Sequence, residues 1–581
     1  MRDLALLNAA YINNFLCSSL LVCVTQAATA QGVVPPAPAA STESPATITV
    51  DFACKVGPYK PIYSWFGYDE ANYTTMKDGK VLLKELHDLS PAPVYIRAHH
   101  LLTSGDGKAE LKFSSTNVYT EDASGKPVYD FKILDGIFDE YKAAGVRPMV
   151  EFGFMPKDLA ADLPDRKVPY QVHYPKSAVS GASNNPPKDY KKWGELIRVV
   201  TAHFVERYGK ETVLQWYFEV WNEPDIDYWH STPEDYWKLY DYAVANVKSV
   251  LPAARVGGPA TTSPSSEKAY NYLKGFLDHV QSGKSLADGK SIPLDFISFH
   301  AKGRPTIVDT HVTMGIKHEL ADADRGFYLI SQYAKYRSLP IIISEADPEG
   351  CAACSSRVNP ANNYRNGTLY PAYTAAAFKG LFELQDKHKV NLLSMLSWSF
   401  EFEDKDYFEG FRSLSTNGIN KPVLNVFRMF GLMSGTRVTA TSNASVSLNT
   451  LVSTGVREKT DVDGMAAIDD RKATVLVWNY HDADTAAAAT PTTIKLSGLP
   501  VTAKRVLVQH YRIDDTHSNA YTVWKAMGSP QQPTTEQYAQ LKAVDGLQLL
   551  TSPTWVDVVD GKLDLTTELP RQSISLVKIT W

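Results

Sequence analysis

Eight short apolar runs separated by stretches of helical periodicity constrain the fold of this chain more than any other feature. They lie near residues 62–67, 94–98, 147–153, 214–221, 255–258, 294–300, 340–344 and 393–399. Runs of this length, rich in β-branched and aromatic residues, read as strands buried on both faces. Between them, residues 130–144 bring Phe131, Leu134, Ile137, Phe138 and Tyr141 to one side of a helix. Residues 187–208 and 233–250 are further helices, each opened by a proline suited to a first turn. Strands alternating with helices imply a parallel sheet with crossover connections. Eight is the number that closes a (β/α)8 TIM barrel, expected here over 59–434.

The pattern changes from about residue 435. Short Val/Thr/Leu-rich runs at 473–478, 492–496, 505–511 and 573–581 are separated by turn residues. They imply an accessory all-β sandwich domain over 435–581. An alternating run at 46–58 is expected to join it as a strand. The fold class is therefore α/β, a barrel with an appended sandwich.

Residues 1–30 have the layout of an export signal. Residues 16–24 are largely apolar, and Ala28-Thr29-Ala30 offers a small-residue cleavage site before Gln31. The Ala/Pro-rich stretch 31–45 reads as a disordered leader. The expected location is secreted or periplasmic. No stretch reaches the ~18 apolar residues of a membrane span. The formal net charge of −5 over 581 residues gives no reason to expect nucleic acid, and nothing here sets an oligomeric state. Cys351-Ala352-Ala353-Cys354, in a loop after the seventh run of an exported chain, is expected to be a loop-stapling disulfide. Zinc would need further Cys or His ligands nearby, and the sequence offers none.

The fourth run ends in Trp221-Asn222-Glu223-Pro224, and the seventh delivers Glu345. Pro224 disfavours helix at Glu223 and cannot continue a ladder. The carboxyl ends of barrel strands are where this architecture keeps its chemistry. A single glutamate after a strand is most often a solvated loop residue; two of them, on the fourth and seventh strands of one barrel, carry a reading. Cleaving a glycosidic bond needs a proton for the leaving oxygen and a carboxylate to meet the charge at the anomeric carbon. Glu223 suits the acid and Glu345 the nucleophile, with Asn222 placed to hydrogen-bond a sugar hydroxyl. The two carboxylates suffice, so no metal or cofactor is implied.

Phe218-Glu219-Val220-Trp221-Asn222-Glu223-Pro224-Asp225, with Ile343-Ser344-Glu345 later, resembles the retaining glycosidases built on (β/α)8 barrels. More narrowly it resembles glycoside hydrolase family 39, the β-xylosidase and α-L-iduronidase family, which also sets a β-sandwich beside its barrel. The likeness spans roughly residues 59–435 in architecture and is sharp only around the two glutamates. It implies a retaining exo-glycosidase acting on plant-type oligosaccharides, with β-xylosidase as the first expectation. A galactosidase or arabinosidase of the same mechanism, or a catalytically silent carbohydrate-binding protein, are the alternatives; a silent copy would have no need of both glutamates.

His300, Arg97, His99 and Trp398, at or near other strand ends, are expected around the first sugar, with Trp398 as a stacking floor. Asp69, Glu70, Glu401, Glu403 and Asp404 read as solvated charges. The text after Glu345, Ala346-Asp347-Pro348-Glu349-Gly350 and then the cysteine pair, departs from a typical xylosidase. An iduronidase would hold its substrate carboxylate with clustered cations; Lys302 and Arg304 after the sixth run fit that role, and Lys302-Gly303-Arg304 reads equally as a solvated loop.

Overall fold

Each of the eight expected runs forms a barrel strand in the computed structural model, which describes residues 44–170, 174, 181–308, 311–500 and 502–581. The expected export signal, and the leader up to residue 43, lie outside the described residues. The strands are Trp65–Tyr68, Tyr95–Ala98, Arg147–Phe152, Tyr217–Val220, Arg255–Thr261, Phe296–Lys302, Pro340–Asp347 and Asn391–Met395. They are parallel and hydrogen-bond in sequence order. The barrel closes where Gly67 N–H donates to Ser397 O at 2.9 Å and Ser397 N–H to Trp65 O at 3.0 Å. Gly67 is required there, since a Cβ would sit 2.4 Å from the Trp398 ring.

The helices start and stop where local chemistry dictates. Lys132–Ala144 buries Leu134, Ile137, Phe138 and Tyr141 and ends at Gly145 in the left-handed region, which glycine enters without steric cost. Tyr190–Tyr208 begins at Asp189, whose carboxylate accepts from the Lys191 and Lys192 N–H groups. That cap, and not Pro187, opens the helix. Pro233–Val250 does begin at its proline, behind a Thr232 cap. Among the described residues no helix is long and apolar enough to cross a membrane.

Beyond the barrel lies a ten-stranded mixed sheet. The early strand Ala46–Pro58 sits inside it, antiparallel to Thr436–Ser442 and parallel to Thr490–Ser497. Side chains alternate along Lys472–Tyr480. Val475 and Val477 enter the sheet's own core, while Leu476, Trp478 and Tyr480 join the barrel's core, against the helix Leu369–His388. Ile494 and Leu563 from one end of the sheet share its core with Val506 from the other, so the sheet folds over on itself as a sandwich. The described residues from 44 onward form one compact unit.

The accessory part is less purely β than expected. Helices Ala520–Ala526 and Thr535–Val544 interrupt it. Trp524 and Leu541 of these helices pack with Phe408 and Ile419 from the segment after the eighth barrel strand.

Candidate active site

The fourth strand ends in a turn that most side chains avoid. Trp221 and Glu223 have φ of 72° and 45°, a region that costs a residue with a Cβ on the order of 1–3 kcal/mol. Pro224 already bars Glu223 from right-handed helix. Three anchors hold the turn: Trp221 N–H to Phe152 O at 3.1 Å, Glu223 N–H to Ala260 O at 2.9 Å, and Trp221 Nε1–H to Tyr228 O at 2.8 Å. The Trp221 ring is wedged against Phe154, Trp193 and Trp229. On the seventh strand Glu345 pairs in register with His300 of the sixth. One carboxylate oxygen each from Glu223 and Glu345 and one ring nitrogen of His300 lie within 4.8 Å of one another.

The two carboxyls sit in opposite electrostatic settings. Glu223 is pushed up to about 7, first by burial and then by the charge of Glu345. Its Oε1 is 2.9 Å from His300 Nδ1. Burial also opposes the charge of Glu345, yet the groups around it, Lys302 and His99 among them, hold it well below the usual carboxylate range. Burial pushes His300 itself down to about 4, so near neutral pH that ring is uncharged and the cations do the holding. Lys302 Nζ is 2.6 Å from Glu345 Oε2, while Arg97 Nη1 and His99 Nε2 are 3.2 and 3.3 Å from Oε1. For His99, burial is outweighed by Glu151, 2.5 Å from Nδ1, and the imidazolium persists up to about 9.

Arg97 is the hub. It is fully buried and pairs with Glu219 through Nε at 2.6 Å, with Glu151 through Nη2 at 2.8 Å, and with Glu345. Its Nη2 also donates to Asn222 Oδ1 at 2.9 Å. Arg97, expected among the sugar contacts, turns Nε, Nη1 and Nη2 to protein partners and so fixes Glu151, Glu219, Glu345 and Asn222 about itself. A buried cation is tolerable only when it is paired in this way. Glu223, His300 and Glu345 also have the spacing of three metal ligands, but Lys302, Arg97 and His99 crowd Glu345 and would repel a cation held there.

Trp398 packs its ring 4.1 Å from the His99 ring and 5.1 Å from the Arg97 guanidinium. Its backbone N–H donates to both oxygens of buried Asp347 at 3.0 Å. Asp347 also takes Lys302 Nζ at 3.1 Å. Cys351 and Cys354 are joined as a disulfide. Buried Arg365 donates to the carbonyls of both, at 2.8 and 2.7 Å, and pairs with Glu349 at 2.8 Å. The loop leaving the seventh strand is thus tied down from inside.

The family model Glycosyl hydrolases family 39 matches residues 94–556. The chain belongs to glycosyl hydrolase family 39. This glycoside hydrolase is similar to the β-xylosidase of Geobacillus stearothermophilus, 27% identical over 502 residues that cover 84% of this chain and 86% of that one. It is also similar to the α-L-iduronidase of Mus musculus, 24% identical over 94% of this chain and 82% of that one. Among solved structures, a β-xylosidase from Caulobacter crescentus CB15 superposes with a TM-score of 0.70 at 21% identity, covering 92% of this chain and 99% of that one.

In this family 39 enzyme Glu223, Glu345, Asn222, His300, Arg97, His99 and Trp398 converge on one place. Two residues escaped the sequence reading, and a third was half-read. Glu151 and Glu219 lie inside apolar strands; a carboxylate there needs a buried cation, and Arg97 inside the second strand was the signal. Lys302 looked like loop because the sixth strand was cut two residues short. Arg304 stays exposed on the surface. Glu70, Glu401 and Glu403 are not solvated: Glu70 and Glu401 are buried, Glu401 accepts from Ser415 Oγ and Asn417 N–H, and Glu403 accepts from Asp78 N–H at 3.0 Å.

These charge states set a pH profile. A carboxyl near 7 serves as an acid only below that pH, and kcat/KM reports the free enzyme. The basic limb of kcat/KM is expected near pH 7, with activity falling about tenfold per pH unit above it. The acid limb should lie below the ordinary carboxylate range. Stopped assays from pH 3 to 9 check both; activity that rises through pH 8 would contradict the acid role expected of Glu223.

Proposed function

We propose that this glycosidase is a retaining exo-glycosidase that works by double displacement, with Glu223 as acid/base and Glu345 as nucleophile. One observation carries the reading: carboxylate oxygens of the two lie within 4.8 Å. So close an approach favours the roughly 5–5.5 Å carboxyl separation of retaining enzymes over the about 6.5–9.5 Å that inverting enzymes keep for a water. In the first step protonated Glu223 gives its proton to the leaving oxygen while the Glu345 carboxylate bonds the anomeric carbon. In the second, Glu223, now a carboxylate, takes a proton from water, whose oxygen displaces Glu345. Esterification removes the charge that helped raise Glu223, which eases its change from acid to base. Asn222 turns its oxygen to Arg97, so its NH2 is left for a sugar hydroxyl. His99, His300 and Trp398 complete the wall of the first sugar subsite.

The carbohydrate substrate is read as a β-xyloside, on the strength of the β-xylosidase relatives. A second reading, a uronide, is favoured by Lys302, whose ammonium lies 2.6 Å from Glu345, where a sugar carboxylate attached to the reacting ring would find it. Proton NMR of the first-formed sugar tests the mechanism; release of the opposite anomer would overturn retention. Aryl β-xyloside, galactoside, arabinoside and iduronide identify the sugar. Lys302→Met separates the two readings: for a uronide kcat/KM should fall by roughly 10–100-fold more than for a neutral glycoside, the worth of a charged hydrogen bond.

Export to a secreted or periplasmic location is proposed as well. It is supported by the apolar stretch at 16–24, the Ala28-Thr29-Ala30 site and the Cys351–Cys354 disulfide. The mature chain is expected to begin at Gln31, which intact-protein mass spectrometry reads directly.

A further inference from the structure

We propose that a cleft between the barrel and the β domain is a second carbohydrate site, taking a neutral sugar unit of an oligosaccharide away from the carboxylate pair. The cleft has a volume of about 530 Å³, and its wall includes Asn363 and Tyr364 of the barrel and Asp484, Asp515, Tyr521 and Lys525 of the β domain. That volume falls in the range of small-molecule sites.

The cleft is held open by bonds across the seam. Met314 N–H donates to Asp482 O at 2.7 Å and Asp484 N–H to Val312 O at 2.9 Å. Tyr521 Oη–H donates to Asn363 Oδ1 at 3.1 Å. The Tyr521 ring is braced by Phe408 and Trp524, with centroids 5.3 and 5.9 Å away. Tyr364, in the same wall, bonds through its hydroxyl to Glu349, four positions beyond Glu345. The cleft therefore borders the stapled loop that leaves the seventh strand.

Its chemistry selects the ligand. A pyranose has an apolar C–H face and a rim of hydroxyls, each both donor and acceptor. The braced Tyr521 ring suits the face once Lys525, whose Nζ lies over the ring 4.5 Å from its centroid, turns to the ligand's hydroxyls. Carboxylates that only accept, with an amide and an ammonium that donate, suit the rim. Asp484 and Asp515 face Lys525 and His311, the other ionisable groups apart from the tyrosines in the wall. With two carboxylates against one fixed cation, an acidic sugar is disfavoured and a neutral one is not. The proposal rests on the reading of the protein as an oligosaccharide-active glycosidase, and it accounts for a β domain whose inserted helix reaches toward the barrel's loops.

The test uses the full chain carrying Glu345→Ala, which stops turnover, titrated calorimetrically with xylotetraose and cellotetraose. A saturable site that Tyr521→Ala removes is expected with one of them. Asp484→Asn, an exposed and nearly isosteric change that spares the fold, should weaken that site about tenfold. In the active enzyme Tyr521→Ala should raise KM for the tetraose about tenfold and leave p-nitrophenyl monoglycosides unchanged. Titrations that neither substitution alters, with both sugars, would overturn the proposal. A wild type that cleaves no glycoside would sink the catalytic reading alone, because the Tyr521-dependent titration is scored without turnover.

Discussion

Replacing Glu345 by alanine is expected to lower kcat by about 10⁴-fold or more, the scale seen when a covalent nucleophile is removed. KM for an aryl glycoside should move far less, since the residues read as the sugar's wall remain. The substitution also strips Lys302, Arg97 and His99 of a shared counter-charge. Some stability should therefore be lost along with activity, and a melting curve must accompany the kinetics. Added azide separates the two effects. A small anion seated where the carboxylate was attacks from the same side, so turnover should return as a glycosyl azide of the opposite anomeric configuration to the substrate. Full activity in a folded Glu345→Ala protein would end the assignment.

Glu223→Ala should behave differently. General acid catalysis contributes about 10²–10⁴-fold, and the loss should be largest for poor leaving groups. An activated dinitrophenyl glycoside needs little protonation, so its first step should survive and the covalent intermediate should accumulate as a burst. Azide should then speed release and give a glycosyl azide of the same configuration as the substrate. The basic limb of the pH profile near 7 should vanish, because the group that titrates there is gone. If the limb persisted, another residue would have to be the acid. The contrast between the two azide products assigns both roles in one pair of experiments.

The barrel was legible because parallel strands covered on both faces must be apolar along their whole length, and eight such runs stand out from helical text. Glu223 and Glu345 were legible for the converse reason: each is a charge at the abrupt end of an apolar run. Glu151 and Glu219 failed this test, since a reading that looks for apolar runs passes over a single carboxylate in the middle of one. Arg97 was noticed for its place near a strand end, but its partners lie on three other strands, and pairing across a barrel leaves no local trace. Lys302 was separated from its strand by a boundary error of two residues, the ordinary uncertainty of such boundaries. The helices Ala520–Ala526 and Thr535–Val544 bury few residues each, so no apolar stripe announced them. The reciprocal cap of Thr534 and Gln537 was the one readable sign.

The strand Ala46–Pro58 has a consequence for how the molecule is made. It leaves the ribosome before any part of the barrel, yet both of its neighbours, Thr436–Ser442 and Thr490–Ser497, appear only after all eight barrel strands. At roughly 5–20 residues per second of synthesis they trail it by on the order of half a minute. Throughout that interval its two edges are unsatisfied and open to pairing with another chain. The catalytic barrel is in effect one long loop between strands of a single sheet, and closing that loop is among the most distant contacts of assembly.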